Sequence, residues 1–127
     1  MLVHTSITLL ILIPLFLFLT FRIIRYRRVN KVSIGDRGDI ILLRRIRMHA
    51  NFTEYTPIAI ILLALCEFNQ APFWRLCIGA SLLVIGRYLH CWGLWSATSP
   101  GSMRVLGMFC TLFSIISLSI TLLLSIA

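Results

Sequence analysis

Residues 44–57 read RRIRMHANFTEYTP, and the apolar run from Ile58 to Leu65 follows directly. On a helix, Arg47, Asn51, Glu54 and Tyr55 stand at i, i+4, i+7 and i+8, which is one face, and Arg44 carries that face back one turn. A base, an amide, an acid and a phenol are therefore set along a helix that is about to enter lipid. Ionisable groups at membrane depth are costly and normally turn toward a protein interior or a wet cavity. This stretch decides the class of fold, helices across a membrane, and it marks the place to look for function.

The composition agrees. The 127-residue chain is 59% hydrophobic and 13% charged, about half the charge of an ordinary soluble domain. Its net charge of +8 is uneven, because nine of the twelve Lys and Arg residues lie between Arg22 and Arg47, opposed there only by Asp36 and Asp39. Charge placed between two apolar segments reads as a topology signal, so no nucleic-acid partner is expected. Cys66, Cys77, Cys91 and Cys110 form no CxxC pair and read as small buried apolar residues. His4, His49 and His90 have no metal-ligand spacing, and no metal is expected.

Outward from the opening stretch, four apolar segments predict an all-α integral membrane bundle in a single unit, residues 1–127, with helices over about 2–24, 40–68, 73–95 and 103–126. The first segment ends in Arg22, Arg25, Arg27 and Arg28 and has no small-x-small cleavage site, so it reads as an uncleaved anchor. Asp39 is expected to cap the second helix. Gly79, Ala80 and Gly86 offer small surfaces for close helix contact. A short connection is expected over Ser96–Gly101, with Pro100 and Gly101 as breakers. The basic loop, 25–39, is assigned to the cytoplasm and both termini to the outside. Arg27, Arg28, Arg44, Arg47, Asn51, Glu54, Arg87, His90 and Arg104 then converge at one depth, and a pocket shared between subunits is expected there. Arg45, like Arg44, reads as a snorkelling interface residue, His49 as facing headgroups away from the site, and Tyr26, Tyr88 and the tryptophans as interface anchors.

These residues resemble a known family. Arg47-x-x-x-Asn51-x-x-Glu54-Tyr55-x-Pro57 is similar to the second-helix signature of the MAPEG family, the membrane-associated proteins in eicosanoid and glutathione metabolism. Residues Arg27 to Ser33 resemble the basic end of the family's first helix, Gly86-Arg87-x-x-His90 the third-helix motif of its bacterial members, and Arg104 the arginine that opens its fourth helix. The resemblance covers essentially the whole chain and is nearest to small bacterial members of the inner membrane. It implies a left-handed four-helix bundle assembled as a homotrimer, with glutathione bound between subunits. Arg27, Arg28, Arg47, Asn51, Glu54, Tyr55, Arg87 and His90 would hold glutathione, and Arg104 would stabilise its thiolate as a nearby cation does. The reaction implied is transfer or peroxide reduction on a hydrophobic small-molecule electrophile taken from the bilayer. One departure is that His90 and Leu94 stand where the eicosanoid enzymes carry tyrosines.

Two alternatives come from other classes. A non-catalytic membrane protein could keep this fold without the chemistry. A small multidrug-type transporter would suit the length, but it needs an acid in mid-membrane, and here the first segment has none and Glu54 sits among arginines.

Overall fold

The computed structural model describes residues 1–95 and 98–126; part of the connection expected over 96–101 lies outside them, as does Ala127. Four helices follow one another, α1 (Val3–Val29), α2 (Ile40–Phe68), α3 (Phe73–Gly93) and α4 (Gly101–Ile126). All four are long and apolar enough to cross a membrane. α1 extends past the expected stop near residue 24. At 27 residues it is about 40 Å long, more than the hydrocarbon core needs. Its basic last turns can therefore stay helical in the headgroup layer, where Arg and Lys are no obstacle to a helix.

Alternate helices run up and down. At one end Tyr26 of α1 donates to Asp39 before α2, and His90 of α3 meets Arg104 of α4. At the other end, His4 and Thr5 of α1 meet Glu67 of α2. Asp39 is the expected cap: its Oδ1 accepts from the Ile41 and Leu42 amides (2.8 and 3.2 Å), and its Oδ2 accepts from the Tyr26 hydroxyl. Two of the orphan amides at the start of α2 are thereby satisfied.

α3 and α4 make the most intimate pair, and three glycines set their approach. A Cβ at Gly79 would lie 2.5 Å from a Leu118 methyl, one at Gly86 would lie 2.6 Å from Thr111 Oγ1, and one at Gly93 would strike the Arg104 backbone. Both sets, 79, 86 and 93 against 118, 111 and 104, recur every seven residues, the spacing of a coiled-coil seam. Ser114 Oγ also donates across the seam to the Gly79 carbonyl at 2.7 Å. Small residues and hydroxyls take this role in lipid, where apolar surface alone gives helices little reason to associate. α1 lies against α2 and α3 and, among the described residues, does not reach α4. Leu12, Leu19, Met48, Phe52, Ala59 and Leu83 fill the space it shares with them. The outward faces, such as Leu10, Ile61, Phe113 and Leu123, remain exposed as a lipid-facing surface should.

Candidate functional site

The polar face of α2 does not stay together along its length. Its first half turns toward α3 and α4, where Arg44, Arg47 and Asn51 line a pocket of about 470 Å³ with His90, Gly93, Leu94, Gly101 and Arg104. The pocket lies at the basic end of the bundle, between the start of α2, the end of α3 and the start of α4. Its lining holds three arginines and no acid. Gly101 and Arg104, from the first turn of α4, belong to this lining, and the helix dipole there favours an anion. Gly93 permits this arrangement, because any larger residue there would push the α4 start, and Arg104 with it, away from α3.

A second, more apolar groove of about 330 Å³ runs on from the pocket along α4. It is lined by Val105, Met108, Phe109 and Leu112, and it shares Asn51, His90 and Arg104 with the pocket. A charged chamber and an oily groove therefore meet at the same three residues.

Arg87 takes a different place from its expected one. It is 1% exposed and lines neither space. Its Nη1 donates to Asn51 Oδ1 (2.8 Å) and to the Asn51 carbonyl (3.2 Å), while Nε and Nη2 donate to Thr111 Oγ1 (3.1 and 2.7 Å). The guanidinium thus ties α2, α3 and α4 together from inside. Among the described residues it makes no ion pair with Glu54. Its bond to Oδ1 also fixes the Asn51 amide: with the oxygen engaged, Nδ2 is the end left toward the groove, where Met108 Sδ lies 3.9 Å away. His90 is buried, and its Nδ1–H donates to the Arg104 carbonyl at 3.3 Å.

The remaining expected site residues lie outside the pocket of this single chain. Glu54 is exposed and has no ion-pair partner among the described residues. Tyr55 lies deeper, with the Arg87 guanidinium 6.0 Å over its ring. Arg27 and Arg28 end α1, and Arg27 Nη1 is buried without a hydrogen-bond partner. Arg44, read from sequence as a snorkelling residue, is in the pocket; its place one turn before Arg47 on the same face was the signal. Arg45 and His49 face α1 instead of headgroups. Arg45 stacks over Tyr26 and donates to the Arg22 carbonyl, and His49 Nε2 pairs with Thr20 Oγ1 at 3.0 Å. Thr111, the partner that makes a buried Arg87 tolerable, had no sequence signal beyond being a hydroxyl on an apolar helix.

Known proteins give this geometry a context. Two Escherichia coli proteins, from strains K12 and O6:H1 and both named inner membrane protein YecN, are 39% identical to the chain over 74 residues. That alignment covers 58% of this chain and 56% of each relative, so the match spans little more than half of their length. No solved structure matches. The sequence pattern of the MAPEG family matches from residue 5 to residue 124, through all four helices and every residue of the pocket, and the chain belongs to that family.

Proposed function

We infer that this chain is a glutathione-dependent membrane transferase or peroxidase. The observation that carries the reading is the junction at Asn51, His90 and Arg104, where the arginine-rich pocket meets the apolar groove. Glutathione has two carboxylates, an amine and a thiol, and a lining with three guanidinium groups and no acid suits its anionic parts. Arg104 and the α4 dipole together would hold the sulfur as thiolate, against an ordinary thiol pKa of about 8.5. The groove would hold the lipophilic partner within reach of that sulfur. In transfer the sulfur bonds to the electrophilic carbon, the leaving group takes the electron pair, and the thiol proton passes to solvent.

The same reading includes a homotrimer with sites shared between subunits. Its support is that Glu54, Arg27 and Arg28 belong to the expected set yet lie outside this chain's own pocket, with Glu54 exposed and Arg27 Nη1 unsatisfied. A neighbouring chain against this face would supply what each lacks, Glu54 taking the ammonium group. The seven-residue spacing along α3 and α4 supports a left-handed bundle. The relatives' name and the basic loop support a bacterial inner membrane with residues 25–39 on the cytoplasmic side.

The test is titration of the purified protein with glutathione while thiolate absorbance is followed. Saturable thiolate formation at millimolar glutathione is expected. In Arg104→Ala the thiol pKa should rise by about one unit, leaving roughly tenfold less thiolate at neutral pH. Absence of saturable binding overturns the reading. A fold kept without chemistry is the second reading, favoured by the complete engagement of Arg87 within the chain. It predicts that no thiolate forms at any glutathione concentration and that Arg104→Ala changes nothing in the titration.

A further inference from the structure

A second basic cavity lies on the opposite side of α2 and shares no residue with the first. It measures about 550 Å³ and opens between the end of α1 and the start of α2. Arg22, Arg25 and Arg45 supply its charge, and Phe18, Phe21 and Tyr26 supply its apolar wall. Among the described residues, none of these arginines has a carboxylate partner. The nearest acid, Asp39, is already engaged by the Tyr26 hydroxyl and two amides.

The cavity is held in shape. The Arg22 guanidinium stacks 3.9 Å over Trp95 and donates to the Trp95 carbonyl at 3.3 Å. Trp95 in turn stacks on Phe18, ring centres 5.7 Å apart. Arg45 lies 4.4 Å over the Tyr26 ring, and its Nε is buried with no hydrogen-bond partner. Arg25 is exposed, with no partner among the described residues.

The depth of these groups says what fits. The arginines lie on the last turns of α1 and the second turn of α2, where the helices leave the hydrocarbon layer. Phe18 and Phe21, 46% and 63% exposed, begin the lipid-facing surface one turn deeper. Cations at headgroup depth above exposed rings match an anion that carries an acyl chain. We propose that this cavity binds the phosphodiester headgroup of an anionic phospholipid, with Arg22, Arg25 and Arg45 on the phosphate and the acyl chain along Phe18 and Phe21. Arginine forks suit phosphate oxygens, and basic pockets between membrane helices are natural headgroup sites. The lipid would seat between α1 and α2 and brace α1, which among the described residues has no contact with α4.

The test is native mass spectrometry of the protein released from vesicles of mixed phosphatidylcholine and phosphatidylglycerol. Arg45→Gln also removes packing against Tyr26, so Arg25→Gln, whose guanidinium has no hydrogen-bond, ion-pair or ring partner among the described residues, carries the experiment. Phosphatidylglycerol should be retained in preference to phosphatidylcholine, and Arg25→Gln should weaken that retention about fivefold. Arg37→Gln, which removes one charge from the exposed loop at the same end, should leave it unchanged. Equal retention of the two lipids, or equal loss in both variants, overturns the proposal. Displacement of the lipid by millimolar inorganic phosphate overturns it in favour of a free-phosphate site.

Discussion

Arg87 is a cation buried at 1% exposure with no carboxylate partner among the described residues, held by four hydrogen bonds to Asn51 and Thr111. Hydrogen bonds from a charged donor contribute about 1.5–3 kcal/mol each, but burying the charge itself costs several kcal/mol. The net worth of the group is therefore much less than the sum of its bonds, while the cost of removing it is large, because the partners stay behind. In Arg87→Ala, Asn51 Oδ1 loses its donor and a cavity opens among three helices; a loss of about 3–5 kcal/mol is expected. Thr111 suffers less, since its hydroxyl still donates to the Gly107 carbonyl at 2.9 Å. Arg87→Lys keeps the charge but cannot reproduce a planar fork that reaches α2 and α4 together, so about 2 kcal/mol is lost. Thermal unfolding in detergent reads both, at about 4 °C per kcal/mol for a chain of this size. Glutathione titration of Arg87→Lys adds a readout that stability alone would not move. With Asn51 no longer held by its oxygen, the proposed function predicts that affinity falls while the thiolate signal at saturation, which that proposal assigns to Arg104, persists. Arg87→Ala within about 1 kcal/mol of the parent protein would refute the reasoning. So would Arg87→Lys proving more damaging than Arg87→Ala.

The close approach of α3 and α4 predicts that Gly107→Ala destabilises by about 1–3 kcal/mol, because its Cβ would meet the His90 backbone, which cannot turn aside. Gly101→Ala, with open space around it, should leave the unfolding temperature unchanged. Asp39 has its carboxyl held below the ordinary range by the Tyr26 hydroxyl and the two amides it caps. Its contribution is therefore present above the ordinary carboxylate pKa and lost as pH falls through the lower folded value; Asp39→Ala and the parent should differ at neutral pH and converge in strong acid, read as unfolding temperature against pH. At the opposite end, Glu67 Oε1 and Oε2 accept from the His4 and Thr5 amides at 2.8 and 3.0 Å, capping α1 from a neighbouring helix. Glu67→Ala should speed hydrogen exchange at the start of α1 and leave the α3–α4 seam protected; uniform exchange across both would refute the assignment.

Much of the architecture was legible before any coordinates. The apolar segments exceed what a bilayer requires, so their number and order follow from length alone. Gly79 and Gly86 announced the tight seam, and Asp39 announced its cap, because small residues and helix caps act through contacts that local sequence reports. The helix face at 44, 47 and 51 was equally plain, since a period of 3.6 places residues on one face wherever the helix lies.

What faces that stripe was another matter. Periodicity says which residues share a side, but the rotation and depth of each helix against its neighbours depend on packing from distant parts of the chain. Only the tertiary structure put Arg87 inside, against Thr111 from a helix 24 residues on, instead of in the pocket with Arg104. Only it turned Arg44 inward while sending Arg45, the next residue, back onto Tyr26 and α1. The junction of charged pocket and oily groove belongs to this second kind of fact: it exists because Gly86, Gly93 and Gly107 let α4 approach α3 closely enough to bring Arg104 beside His90.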